Sequence, residues 1–333
     1  MNMKNWLAEQ LSAQQKKPLP ILSFPSVQLM GISVRELISD STLQSRGMAE
    51  IARRCGAAAA VSMMDLSVEA ECFGARIRVT DDEVPTVVGA VLETPEDAEA
   101  LTVPAVGTGR TGLYVEAISQ ALGLITDRPV FAGVIGPYSL AGRLMDMTNI
   151  MINCYEEPEM VHTTLDKATQ FLIHYVLAYK AAGAHGVMIA EPAAGLLSPA
   201  FCGEFSSPYV KRIVDAVQDE NFLVLYHNCG NAVDKMVPQI LSTGAAAYHF
   251  GNAVDMEEML RQMPEGILTM GNVDPVGVLR NGTPQQVRTQ TLALLERCSK
   301  YPNFLLSSGC DIPPACPWEN IDAFFAAAEE FYR

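Results

Sequence analysis

Two kinds of hydrophobic pattern alternate along the chain. Short apolar runs, most of them bounded by Gly, Pro or Asn, lie at 20–25, 59–65, 129–136, 186–191, 223–229, 246–251, 267–273 and 303–311, and have the form of strands buried on both faces. Elsewhere apolar positions return every three or four residues, predicting helices at 6–15, 159–182, 208–217, 232–242, 257–263, 283–298 and 319–332. Eight strand-like runs alternating with helical ones predict a (β/α)8 TIM barrel of the α/β class, since right-handed crossovers carry the eighth strand back beside the first. A doubly wound open sheet shares that alternation. The barrel is preferred because the candidate ligands described below end the fifth and eighth strands and must converge.

One segment departs from the pattern. Residues 74–79 and 86–92 flank a polar turn at 80–85, so a β-hairpin is expected as an insertion after the second strand, over the barrel mouth, in a lid or docking surface. Together with the N-terminal helix this gives one domain spanning 1–333, a length normal for a single barrel.

Composition narrows the function more than the fold. Hydrophobic residues at 49% and charged ones at 18% require a packed core and exclude disorder. A formal net charge of −15 argues against nucleic acid or an anionic membrane as partner. No apolar stretch is long enough to span a bilayer and residues 1–17 have no signal-peptide core, so the chain is expected in the cytoplasm. Its eight cysteines have no paired spacing, and reduced thiols are expected.

The chemistry concentrates at strand ends. In a strand, side chains two residues apart share a face, so His227 and Cys229 project together from the end of the fifth run. Cys310 ends the eighth run in the same way. One imidazole and two thiolates fill three corners of a zinc tetrahedron and leave the fourth for substrate, the arrangement of a catalytic rather than a structural site. Cys316 is the rival for the third position. Glu191 ends the fourth run and His249 lies near the end of the sixth; these two are the catalytic candidates, with a buried structural histidine or a fourth ligand as other readings of His249. Asp65 and Asp274 also sit at strand ends, where helix capping is the plainer role. Glu69 and Glu71 follow as solvated acids, or Glu71 as a site residue. Gly107-Thr-Gly-Arg-Thr-Gly112 matches the dinucleotide fingerprint by letter, but Pro104 interrupts the run before it and the later Asp127 precedes a strand, so it is set aside.

The motifs at 64–74, 133–141, 182–199, His227-Asn-Cys-Gly230, Gly271-Asn-Val-Asp-Pro275 and Gly309-Cys-Asp-Ile-Pro-Pro314 resemble the uroporphyrinogen decarboxylase superfamily, and more closely its zinc methyltransferase branch. That branch, which includes methylcobalamin:coenzyme M methyltransferases, carries His-x-Cys and a distant Cys, matching His227, Cys229 and Cys310. The resemblance implies Zn2+ as cofactor and methyl transfer between a corrinoid and a small thiol or methylated donor, in a direction the sequence leaves open. No Asp-x-His-x-x-Gly corrinoid segment occurs, so the corrinoid is expected on a separate partner protein. Two departures matter. The arginine-rich motif of the decarboxylase is replaced by Phe24-Pro-Ser-Val-Gln-Leu-Met30, which ranks metal-free decarboxylation as the alternative. A glutamate that can complete the zinc shell in the coenzyme M enzymes falls at Gly251 here.

Overall fold

The computed structural model describes residues 1–333. Nine strands form: β1 (Ala60–Val61), β2 (Arg76–Arg78), β3 (Thr86–Val88), β4 (Val130–Ile135), β5 (Gly186–Ala190), β6 (Leu223–Asn228), β7 (Ala247–Phe250), β8 (Leu268–Val273) and β9 (Phe304–Ser308). Seven make one parallel sheet in the order β1-β4-β5-β6-β7-β8-β9, while β2 and β3 pair antiparallel by themselves. The helices that frame the sheet include α1 (Met3–Ser12), α2 (Ser41–Arg54), α3 (Thr111–Leu124), α4 (Pro137–Met145), α5 (Pro158–Ala181), α6 (Ser207–Val217), α7 (Pro284–Cys298) and α8 (Trp318–Phe331). No helix of the protein is long and apolar enough to cross a membrane.

The parallel sheet curls in the manner of a TIM barrel, and the two-residue period of its strands divides the core. Leu223 and Leu225 of β6, Ala247 of β7, Leu268 and Met270 of β8 and Leu305 of β9 pack together inside the curl. Their neighbours Val224, Tyr226 and Tyr248 face outward onto helical residues such as Phe171 of α5 and Val210 and Ile213 of α6. Helix α1 closes the N-terminal end, with Met3 and Trp6 in the inner cluster and the Trp6 ring 5.7 Å from that of Phe131.

The first predicted strand, at 20–25, is not regular. Instead residues 18–21 run between the two edges of the sheet: Leu19 N donates to Leu306 O of β9 at 2.9 Å, and Ala58 N, just before β1, donates to Pro18 O at 2.9 Å. Pro18, Pro20 and Pro25 have no N–H to give a ladder, which explains the sparse pairing. The predicted helix at 232–242 is likewise broken, into a turn at Val233–Lys235 and a short helix at Val237–Leu241, because Pro238 starts a new helix better than it continues one. The predicted start at 283 stands: Thr283 and Gln286 form a reciprocal capping box on α7.

The hairpin joins Arg76 to Val88 and Arg78 to Thr86 in register. Arg35 fastens it, donating to Asp81 Oδ1 at 2.7 Å and Val79 O at 2.8 Å.

Candidate metal centre

Strand register sets up the site. Ala190, His227 and His249 are successive partners across β5, β6 and β7. His227 and His249 keep the inward parity of Leu225 and Ala247, so both imidazoles enter the curl at the C-terminal end of the strands. Cys229 follows the end of β6, and Cys310 lies two residues beyond β9. His227 Nε2 and the two sulfurs lie within 4.8 Å of one another. Cys310 Sγ is 3.5 Å from His227 Nε2 and 3.9 Å from Cys229 Sγ. A tetrahedron with zinc–sulfur bonds of about 2.3 Å and zinc–nitrogen bonds of about 2.0 Å has edges of about 3.5 and 3.8 Å. The donor set therefore fits zinc in both chemistry and spacing.

The two thiols face each other. Cys310 donates toward Cys229, which lowers the Cys229 pKa below that of an ordinary thiol and, with burial, pushes Cys310 up to about 12. His227 is 2% exposed, and its Nδ1 lies 2.7 Å from His249 Nδ1. Burial, and then the neighbouring His227, hold the His249 pKa well below its ordinary value, so that ring is neutral. On its far side His249 Nε2 meets Ser307 Oγ at 2.7 Å. Gly251 permits the crowding: a Cβ there would come within 2.5 Å of Cys229 Cα and Cβ. A glutamate at this position is sterically excluded.

The catalytic candidates occupy the protein interior. His249 is 0% exposed, with His227 and Ser307 as its side-chain partners, the setting of the buried-histidine reading. Glu191 is also 0% exposed. Its carboxylate accepts from Tyr138 N at 3.0 Å and Ser139 N at 2.6 Å, capping α4 from across the sheet. Gly136, which offers α4 no cap of its own, leaves the carboxylate room: a Cβ there would lie 2.5 Å from Glu191 Cδ. Burial pushes the Glu191 carboxyl up to about 7, against the pull of its hydrogen bonds to Ser139 and Tyr138. In this structure the carboxylate serves as a helix cap.

Cys316 does not join the triad; its sulfur donates to Leu279 O at 3.2 Å in a separate apolar cluster. Asp274 caps the turn after β8, accepting from Val276 N and Gly277 N. Glu69, expected in solvent, is 2% exposed and accepts from Ile135 N at 3.1 Å. Asp65 and Glu71 are both bound by Arg110, which reaches Glu71 Oε2 at 2.6 Å and Ser67 Oγ at 2.9 Å, while Tyr114 Oη donates to Asp65 at 2.7 Å. Sequence reasoning missed Arg110 and Tyr114. Arg110 stands inside the glycine-rich stretch set aside above, which opens α3 with no strand before it. The hairpin tip, residues 82–84, lines a cavity of about 240 Å³ with Arg280 and the 311–315 loop next to Cys310.

The sequence pattern of the uroporphyrinogen decarboxylase (URO-D) family matches residues 24–331. Over 274 residues the chain is 31% identical to the methylcobamide:CoM methyltransferase MtbA of Methanosarcina acetivorans, covering 80% of this chain and 78% of that one. It is 27% identical over 298 residues to a methylated-thiol–coenzyme M methyltransferase of Methanosarcina mazei, with 86% and 77% covered. A solved methyltransferase from Methanosarcina mazei superposes over 100% of both chains with a TM-score of 0.88 at 24% identity, a likeness of fold.

Proposed function

The chain belongs to the uroporphyrinogen decarboxylase family, and from that premise we propose that it is a zinc-dependent methyltransferase, moving a methyl group between a corrinoid on a separate protein and a small thiol or methylated donor. The observation that carries this reading is the His227, Cys229 and Cys310 cluster, in which the distances from Cys310 Sγ to the other two donors match tetrahedral edges. These three residues are assigned as the metal ligands. Zinc held there would supply the Lewis acidity that lets a thiol lose its proton near neutral pH. A pair of thiolates makes the centre electron-rich, which suits a soft sulfur nucleophile better than hydrolysis.

The chain's own groups bind and orient. The ends of β6 and β9 bring the three donors together, His249 backs His227, and Glu191 holds α4 in place beside them. Arg110, braced by Asp65 and Glu71, sets the polar wall beyond β1. In the direction of thioether formation the substrate sulfur provides the bonding pair, its proton goes to solvent, and the electrons of the broken bond stay with the corrinoid substrate. The names of the two Methanosarcina relatives support a thiol as one partner. The reading extends to one domain over 1–333, an eight-stave barrel with residues 18–21 as the first stave, a hairpin that partly covers the mouth, and a cytoplasmic setting.

Elemental analysis of purified wild type and Cys310→Ala tests this. About one zinc per chain in wild type, lost in the variant, is expected, with methyl transfer from methylcobalamin to a thiol lost alongside. A well-folded wild type that takes up no zinc when it is supplied overturns the proposal in favour of metal-free decarboxylation.

A further inference from the structure

Behind His227 runs a file of hydrogen bonds whose far end is a carbonyl. Ser307 Oγ donates to Leu19 O at 2.7 Å, and no other donor reaches that oxygen. A hydroxyl has one proton, so Ser307 Oγ must accept from His249 Nε2, which therefore carries a hydrogen. The His249 ring is 0% exposed with only His227 and Ser307 as polar side-chain partners and no carboxylate to balance a second proton, so its Nδ1 is bare and the nitrogen 2.7 Å away, His227 Nδ1, must be the N–H that faces it. With its proton on Nδ1, the His227 imidazole turns its lone pair outward through Nε2, the atom nearest Cys310 Sγ. One carbonyl thus dictates both tautomers.

We infer that His249 and Ser307 are positioning residues that hold His227 as its Nδ1–H tautomer and dedicate Nε2 to the metal, an imidazole doing the work usually given to a carboxylate or carbonyl. The reversed file is disfavoured at both ends. It would aim an Nε2–H at the place of the metal, and it would leave the Leu19 carbonyl without a donor among residues that are 0% exposed. The same geometry removes His249 as a fourth ligand, since both of its nitrogens are engaged.

The inference rests on the metal reading, and its test keeps the two apart. Long-range proton–nitrogen spectra of the full chain, labelled with 15N at histidine, report each ring's tautomer with and without zinc; His249→Gln identifies the His249 signals among five histidines. The expected result is opposite tautomers, His227 as Nδ1–H and His249 as Nε2–H, in both samples. A proton on His249 Nδ1, or a charged ring at neutral pH, overturns the inference. Chelator competition supplies the second readout. His249→Phe is expected to weaken zinc binding about 10–100-fold. His249→Gln, whose amide can accept from His227 and donate to Ser307, is expected to recover most of that loss. Equal affinity in His249→Phe and wild type, or no recovery by His249→Gln, also overturns it. Should His249→Phe cost the fold, Ser307→Ala removes only one hydroxyl and is expected to weaken binding in the same sense. A wild type that shows the two tautomers but binds no zinc sinks the metal reading alone.

Discussion

At the scale of single residues, burial decides which ionisable groups are chemical and which are structural. Glu69 is the sharpest case: burial raises its pKa from 4.5 to about 8, with one oxygen bound to Ile135 N and the other without a partner. A carboxyl whose folded pKa is raised favours the fold below its unfolded pKa, and that contribution is lost as pH rises through the folded one. Stability owed to Glu69 therefore falls between about pH 4.5 and pH 8, by an amount on the order of a few kcal/mol. Glu69→Gln mimics the protonated acid. Urea unfolding of both proteins at pH 5 and pH 8 is expected to show the variant gaining on wild type as pH rises; parallel curves would refute this. Gly251 gives a second prediction at this scale. Gly251→Ala forces a methyl into Cys229, and a loss of about 1–3 kcal/mol together with weakened zinc uptake is expected.

At the scale of elements, the sequence exposed what repeats and hid what depends on folding. The ends of β6 and β9 were legible because an apolar run stopping at His-x-Cys or Gly-Cys is a local pattern, and parallel register then placed the donors together. The long helices α5 and α7 were legible from their periodicity and caps. Helix α3 was not, since its glycines mask the period and its first residues look like a nucleotide loop. Residues 18–21 were mistaken by a few positions because pairing there depends on two distant strand edges rather than on local residues. Glu191 was read correctly as ending a strand, but its direction is set by α4, which only the fold brings near. This predicts a contrast. Glu191→Ala leaves the buried N–H groups of Tyr138 and Ser139 unpaired and is expected to cost about 2–5 kcal/mol, whereas Glu191→Gln keeps an acceptor and costs less. Guanidinium unfolding of the two variants checks it, and equal losses would point to a role for the charge itself.

At the scale of the whole molecule, the proposed ligands tie the middle of the chain to its C-terminal end. Zinc bound by the fold and weakly or not at all by the unfolded chain stabilises by mass action, about 4 kcal/mol at free zinc a thousandfold above Kd. The melting temperature of wild type is expected to rise with added zinc and fall with chelator, while that of Cys310→Ala stays put. A zinc-independent melting temperature in wild type would deny the linkage.

Helix α1, with Trp6 seated against Phe131, closes the N-terminal end of the packed curl, which leaves the opposite end, where the His227, Cys229 and Cys310 cluster lies, as the doorway. On the proposed function the small molecule and the corrinoid-bearing protein must use that doorway in turn. A protein seated over that end bars the small molecule until it steps away. Saturating amounts of the partner should therefore slow turnover instead of hastening it, a signature visible in initial rates alone.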